Sequence, residues 1–407
     1  MRSILFLGIW GISVCSLGAA NVLKEARAAI KSGSNLENTE KKLLETVSAG
    51  DAKYDKAELY FTAALVNKRI NEQENEKLYL KQKYDTARFF NSIYNMFCRF
   101  RQCDSVEQMP DKNGRIKIRR RAKAREILIP YRKNLLNAGK FYMRKTNYKE
   151  AYRFLDLYLG TAAFPMFAGD DFARKDTLYT KAAYWATLSA YNQNDAKRTL
   201  KYMDEALKHP FQRFALTEYK AKAYKELGDT TAWVRTLEEG IKTFPDHSFF
   251  FTSLMDHLNE RHEYEKALKF ARRMVDFDRG NVLFRYAESV VLMNMNDYRG
   301  CIEVSDSVLK LDSVYTDAYY NKGISYYNLA MTKAETACTD VRNPQFRKDR
   351  EDIVALYEQA RMPMEVVRKL APEDKLRWAP PLYAIYLYLN RGKDFAEIET
   401  ILRSLNK

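Results

Sequence analysis

The sequence has few of the residues that interrupt helices and few of those that build reaction centres. Its 407 residues include only 10 Pro, 15 Gly, 5 Cys and 4 His. A hydrophobic content of 46% with so little Pro and Gly argues against a disordered chain. Abundant Ala, Leu, Lys, Arg and Glu favour helix, so we expect an all-helical protein.

Catalytic and cofactor-binding signatures are also absent. The patterns HExxH, GxSxG, GxxxxGK[S/T] and GxGxxG do not occur. His257 and His262 are five positions apart, which places them on different sides of a helix rather than on one metal-facing stripe. Cys98 and Cys103 form a weak metal pattern, although they would be able to form a local disulfide if a helix ended between them. We expect no enzymatic activity, no cofactor and no metal site.

The first 20 residues predict a secretory signal. Arg2 supplies a positive charge, residues 4–17 are apolar, and Gly18 and Ala20 are small residues suited to cleavage before Asn21. One alternative is a short membrane anchor, and another is a lipoprotein cut before Cys15, for which the preceding Val14 is a poor match. No later segment is apolar enough to span a bilayer, so we expect an exported, soluble mature chain.

An internal repeat of 34 residues is the strongest feature of the sequence. Four units in succession begin at the same spacing, at Phe214, Ser248, Val282 and Thr316. Small residues recur at positions 8 and 20 of the repeat, and bulky residues recur at positions 4, 11, 17 and 24. This pattern predicts pairs of helices that approach closely at the small residues.

The turns between the paired helices are predicted at residues 228–229, 262–263 and 296–297, where Gly, Asn, Asp, His and Glu occur. Earlier units fit the frame with small adjustments from Arg132 onward. We divide the chain into a signal (1–20), an N-terminal helical region (21–131) with a basic segment at 112–125, a repeat array (132–331), and a degenerate repeat with capping helices (332–407). A loop is expected at 332–347, because the register breaks there and Pro344 follows.

The repeat resembles that of tetratricopeptide repeat (TPR) proteins, whose pattern W-x2-L-G-x2-Y…A-x3-F…P is matched in part by several units. The resemblance implies an all-α, TPR-type α-solenoid, a right-handed superhelix of antiparallel helix pairs that binds a partner in its concave groove. The segments KYDTARFF at 83–90 and WAPPLY at 378–383 resemble those of exported TPR proteins of Bacteroidetes-type bacteria, which implies the periplasm.

The predicted groove is lined by positions 2, 5, 9 and 12 of the first helix in each unit. The candidate partner-binding residues there are Phe249, Tyr286, Met293, Tyr320 and Tyr327. The Lys and Asn that TPR proteins use to grip chaperone tails are missing at positions 5 and 9, which disfavours that role. The groove is expected either to hold a peptide or to be filled by the chain's own C-terminal helices.

The second predicted surface is a basic patch. Thirteen basic residues and only one acidic residue, Glu126, occur between positions 112 and 145, in a chain whose net charge is +15. The candidate residues are Arg115, Lys117, Arg119, Arg120, Arg121, Lys123 and Arg125. Such a patch favours an acidic protein, anionic lipid head groups or an anionic glycan, whereas a solvated helix face is the plain alternative. Because the chain is expected to be exported, nucleic acid is disfavoured as the partner of this patch.

Together these features predict a non-catalytic protein-interaction scaffold of the cell envelope that binds a protein or peptide partner. The alternative is a glycan-binding outer-membrane lipoprotein of the starch-utilisation type, which is also helical. That alternative requires lipidation of Cys15, and such proteins are typically longer than this chain.

Overall fold

The computed structural model describes residues 19–50 and 54–405, and every regular element in these ranges is helical. Most of the predicted signal segment, including Cys15, lies outside the described residues. The prediction of an all-α fold built from antiparallel helix pairs is confirmed. The chain divides into two compact units, Met1–Gly240 and Ile241–Lys407. None of the described helices combines the length and the apolar composition needed to cross a membrane.

Unit 1 is a series of helices in which each packs against its neighbour in sequence or the next one along. Two short 3-10 turns follow the sixth helix, at Thr161–Ala163 and Pro165–Phe167. Its helices are α1 (Ala19–Ser32), α2 (Leu36–Ala49), α3 (Lys56–Tyr79), α4 (Thr86–Glu107), α5 (Arg121–Arg144), α6 (Tyr148–Gly160), α7 (Phe172–Lys175), α8 (Tyr179–Tyr191), α9 (Ala196–Lys201), α10 (Met203–Ala206) and α11 (Arg213–Glu226).

Unit 2 repeats the same arrangement. Each helix packs on the next, and alternate helices also meet, as α15 and α17 do. The helix α12 (Thr230–Thr243) runs across the boundary between the units. The helices that follow are α13 (Ser248–Glu260), α14 (Tyr264–Phe277), α15 (Val282–Asn294), α16 (Tyr298–Leu311), α17 (Thr316–Thr336), α18 (Pro344–Leu370), α19 (Lys375–Tyr388) and α20 (Gly392–Leu405).

The predicted 34-residue frame matches the starts of the first helices. The helices α13, α15 and α17 begin at the predicted Ser248, Val282 and Thr316, and α11 begins one residue before Phe214. Carboxylate and amide side chains fix several starts, because they accept hydrogen bonds from backbone N–H groups that have no partner within the helix. Asp297, for example, accepts from the N–H of Gly300 at 3.0 Å at the start of α16.

The turns within the helix pairs share one backbone device. A residue with positive φ ends the first helix, and the next N–H bonds back to a carbonyl five residues earlier, as Asp297 does to Leu292 at 2.9 Å. This is the Schellman arrangement, which satisfies carbonyls at the helix end. The residues that adopt positive φ in these turns are Lys81, Thr146, Asn194, Gly228, His262, Asn296 and Asn390.

Small residues sit where paired helices approach closely, as predicted. A Cβ added to Gly139 in α5 would lie 2.6 Å from Cγ of Leu155 in α6, and one added to Gly323 would lie 2.6 Å from Sδ of Met364. At position 20, Ala267 and Cys301 are fully buried. Cys301 is therefore a small buried core residue of the repeat.

A buried carboxylate links α3 to α4 near their connection. Glu74 accepts hydrogen bonds from Lys77 at 2.8 Å, from Arg88 at 2.5 Å and from the backbone N–H of Asp85 at 2.9 Å. Burial acts to raise the pKa of Glu74, but these hydrogen bonds outweigh it and lower the pKa to about 2. Arg88 also reaches Glu37 in α2 at 2.6 Å, so one guanidinium ties three helices together.

One expectation about helix ends is wrong, and one condition that the sequence left open is not met. The predicted loop at 332–347 is much shorter, because α17 continues to Thr336 and α18 already begins at Pro344. Proline is well tolerated at the first helical position, and the Asn343 side chain accepts from the N–H of Gln345 at 2.9 Å. The helix α4 also runs through both Cys98 and Cys103, which are free thiols, so the condition for a local disulfide is not met.

Candidate functional site

The predicted basic segment begins in the loop between α4 and α5, residues 108–120, which we call the basic loop. Asp111 organises it: the side chain accepts from the N–H groups of Asn113 and Arg115, both at 2.9 Å, and from Lys117 at 2.7 Å. Its own N–H donates to the carbonyl of Arg115 at 2.9 Å. The lysine hydrogen bond is the largest of the effects that lower the pKa of Asp111 to about 2. One carboxylate therefore closes the turn of the basic loop.

A second carboxylate, Glu107, fixes the end of the basic loop where α5 starts. It accepts from the N–H groups of Arg119 at 2.9 Å and Arg120 at 3.0 Å, and from the Arg120 guanidinium at 2.8 Å. Arg120 also reaches Asp55 at 2.7 Å. The next residue, Arg121, makes a bidentate pair with the buried Asp104, at 2.6 and 3.2 Å. These two arginines face the protein, where their charge is matched.

The seven predicted patch residues therefore do not act as one group. Five of them pair with a carboxylate: Lys117, Arg120, Arg121, Lys123 and Arg125. No carboxylate in the described ranges pairs with the other two, or with the neighbouring exposed Lys112. We call Lys112, Arg115 and Arg119 the free cations.

The basic loop also exposes apolar side chains that the sequence analysis did not single out. Met109, Ile116 and Ile118, which we call the apolar trio, are 65%, 59% and 41% exposed. For Ile116 and Ile118, the alternation of Ile with Lys and Arg at 115–119 is the sequence signal by which they could have been found, because it is typical of an extended segment with one apolar side.

One member of the basic run is not on the surface. Arg132 is buried in unit 1, with its guanidinium 4.0 Å from the ring of Tyr158 and 3.8 Å from that of Phe172. It pairs with Asp176 at 2.5 Å and donates to Thr161 at 2.8 Å. Arg132 therefore fastens the segment after α6 and adds nothing to a surface patch.

The predicted groove residues lie on the first helices of three successive pairs in unit 2, which we call the helix-A face (α13, α15 and α17). All five are half-buried rather than exposed. The ring of Phe249 lies 5.2 Å from that of Phe250, in edge-on contact. Tyr327 lies 5.9 Å from Tyr357 of α18, so the chain's own C-terminal helices cover part of this face.

Tyr286 and Tyr320 belong to a mixed cluster with residues that the sequence analysis missed. The ring of Tyr286 lies 5.3 Å from that of Tyr315, and the Arg377 guanidinium lies 4.3 Å from the ring of Tyr320. Arg377 also pairs with Asp317 at 2.5 Å. We call these five residues the tyrosine–arginine cluster.

The electrostatics of the tyrosine–arginine cluster keep Tyr286 protonated. Burial, Asp317 and Tyr315 raise the pKa of Tyr286 to about 12, against the smaller opposing effect of Arg377. No described residue hydrogen-bonds to the Tyr286 hydroxyl, so it can donate to a partner. The approach of Arg377 was beyond sequence reasoning, because this residue comes from α19, far along the chain from Tyr320.

A cavity of about 440 Å³ in unit 1 is lined by α4, α6 and the segments that follow α6 and α9. Burial raises the pKa of its Cys98 thiol, and Asp156 is held by Lys201 at 2.6 Å and Tyr202 at 2.9 Å. The raised pKa disfavours the thiolate form of Cys98, and the Asp156 carboxylate already accepts hydrogen bonds from two side chains. Across the described ranges, no group of three or more His, Cys, Asp or Glu side chains is placed to hold a metal ion.

Comparison with known proteins finds similarity to solved repeat structures. The C-terminal part of a TPR repeat-containing protein from Cytophaga hutchinsonii is 10% identical and covers 64% of this chain and 91% of its own, with a TM-score of 0.41. A TPR repeats protein from Bacteroides fragilis NCTC 9343 is 17% identical, covering 64% and 97%, with a TM-score of 0.33. YrrB, a TPR protein with an unusual peptide-binding site, is 16% identical, covering 51% and 97%, with a TM-score of 0.31. No protein-family model and no curated protein matches the chain. At these identities and TM-scores the similarities assign neither a family nor a function.

Proposed function

We propose that this protein is a non-catalytic scaffold of the cell envelope that binds a protein or peptide partner through the helix-A face of unit 2. The observation that carries the proposal is the tyrosine–arginine cluster. Tyr and Arg are the residue types that most often dominate binding energy at interfaces, because they combine a large rigid surface with hydrogen-bond donors. The cluster has both, with an available hydroxyl on Tyr286.

Exposed apolar neighbours support the same surface. Val314 and Leu376 are next in sequence to Tyr315 and Arg377, and they are 64% and 73% exposed. Apolar side chains beside a Tyr and Arg centre are what a protein partner would cover. The envelope location rests on the predicted signal segment, so its test is mass spectrometry of the mature N terminus. A free Asn21 supports the scaffold, whereas a lipidated Cys15 would favour the glycan-binding lipoprotein.

Site-specific photocrosslinking in cells tests the binding surface. Benzoylphenylalanine in place of Tyr286 is expected to give discrete adducts with a partner, because this side chain lies at the centre of the proposed interface. The matched control places the same residue at Phe277, an exposed aromatic position at the end of α14. Adding Arg377→Ala should reduce the adduct roughly tenfold or more, the usual loss at an interface hot spot. Equal adducts from both positions, or no loss on Arg377→Ala, would refute the proposal.

A further inference from the structure

We propose that the basic loop docks this protein on an anionic lipid surface. The apolar trio would enter the bilayer interface, and the free cations would lie beside the lipid head groups. This inference concerns unit 1 alone and does not depend on the partner proposed for unit 2.

The cations of the basic segment fall into those that stabilise the fold and those that remain available to a partner. Arg120 and Arg121 are directed at buried or half-buried carboxylates, so their charge is largely neutralised locally. The free cations have no such partner among the described residues and are exposed. Cations at the surface attract anionic head groups, and each contributes on the order of 1 kcal/mol of attraction near such a membrane.

The apolar trio is what favours a lipid surface over an anionic glycan. A glycan would be bound by the free cations alone and gains nothing from exposed Ile116 and Ile118. A bilayer interface takes up both, because binding there increases with the apolar area buried and with attraction to anionic lipid. The exposure of three apolar side chains on one short loop is otherwise unfavourable in water.

The basic loop is built in advance for such contact. Asp111 closes its turn, and Glu107 holds the two N–H groups at its C-terminal end. Because the loop is already ordered, little conformational entropy is lost when it binds. The small hollow beside it, about 160 Å³, is lined by Asp55, Glu107 and Asp111 as well as by Met109, Arg115, Lys117, Arg119 and Arg120. Three carboxylates make this hollow a poor site for a free anion, so we assign the docking to the exposed side chains of the basic loop rather than to the hollow.

Co-sedimentation with vesicles tests the inference on the purified protein. Vesicles of phosphatidylcholine containing phosphatidylglycerol should bind it, with an affinity that falls as salt rises, and vesicles of phosphatidylcholine alone should bind it weakly. The variant I116S/I118S should bind roughly tenfold more weakly, because it removes the apolar contribution. The variant K112Q/R115Q/R119Q should bind on the order of a hundredfold more weakly.

Matched controls separate docking from a general effect of charge or hydrophobicity. The variant I129S changes a comparably exposed isoleucine on α5, and K24Q/K31Q/K41Q removes three exposed cations from α1 and α2. Both should bind as the unchanged protein does. Insertion is checked with I116W, whose fluorescence should be quenched by brominated lipid more than that of the unchanged protein. Three results would overturn the proposal: no binding to anionic vesicles, binding that is insensitive to I116S/I118S (which would point to an acidic polymer), or equal weakening by the control charge variant.

Discussion

Changing Gly139 to Ala tests whether close approach of paired helices is the reason for the small residue at position 8 of the repeat. The added Cβ would lie 2.6 Å from Cγ and 2.7 Å from Cδ2 of Leu155, which is fully buried. Carbon atoms pack best at about 3.5–4.0 Å, so α5 and α6 must separate by roughly 1 Å or Leu155 must leave its rotamer. Such overpacking costs about 1–3 kcal/mol.

The helix itself prefers Ala to Gly by up to about 1 kcal/mol, which opposes this cost. The net expectation for G139A is a loss of about 1 kcal/mol in the free energy of unfolding. G160A is the matched control, because a Cβ there meets nothing within 4 Å, and it should gain about 0.5 kcal/mol. The test is therefore the difference between G139A and G160A in the free energy of unfolding.

Urea unfolding followed by circular dichroism measures both changes, provided that the slope of the transition stays constant. A double-mutant cycle strengthens the result: L155A should cost about 2–5 kcal/mol alone, but about 1 kcal/mol less when G139A is already present, since the clash is then relieved. If G139A is as stable as G160A, the helices do not approach as described, and the packing account of the repeat is wrong.

Three further predictions concern charge and turns. R121A should lower the free energy of unfolding by about 3 kcal/mol, because it leaves the buried carboxylate of Asp104 without its bidentate partner. T146G should raise the same quantity by about 1 kcal/mol, since Thr146 has φ of 53° and side chains are strained there. Acidification should weaken the fold through Glu74: its folded pKa lies near 2, below the ordinary 4.5, so its stabilisation is present above about pH 4.5 and is lost between 4.5 and 2.

Each of these three predictions has a comparison variant that should change stability in the opposite direction, change it little, or remove its dependence on pH. R119A removes an equal charge that has no carboxylate partner among the described residues, and it should change stability by less than about 0.5 kcal/mol. G228A places a side chain at the equivalent turn position, φ 73°, and should cost about 1 kcal/mol. E74Q should flatten the dependence of the unfolding midpoint on pH between 4.5 and 2. Equal effects of R121A and R119A, or an unchanged pH dependence in E74Q, would contradict the assignments.

Much of the repeat was predictable because its spacing reflects helix geometry. Three helix starts, Ser248, Val282 and Thr316, follow from a step of 34 residues, and the turn at Asn296 follows from the same frame. Beyond residue 331 the 34-residue register breaks, and helix boundaries there are harder to predict. The predicted loop at 332–347 is too long because Pro344 is typical of a helix breaker, although proline is equally tolerated as the first residue of a helix.

The surfaces were less predictable than the helices, because they depend on which distant side chains meet. Sequence composition identified Arg121 as basic but could not show that Asp104 neutralises it. The same composition counted Arg132 as part of a surface patch, although it is buried between two aromatic rings. Arg377 entered the tyrosine–arginine cluster only through the fold, since no local pattern joins α19 to α17.

The turn with one positive-φ residue, repeated in seven helix pairs, accepts Lys, Thr, Asn, Gly and His. The residue type at that position is thus loosely constrained, whereas the number of residues in the turn is fixed. Deleting a single residue there would rotate the second helix by about 100° and turn its small position-20 residue away from its partner helix. Such turns are therefore places where substitutions accumulate readily and where single-residue deletions would disrupt a helix pair.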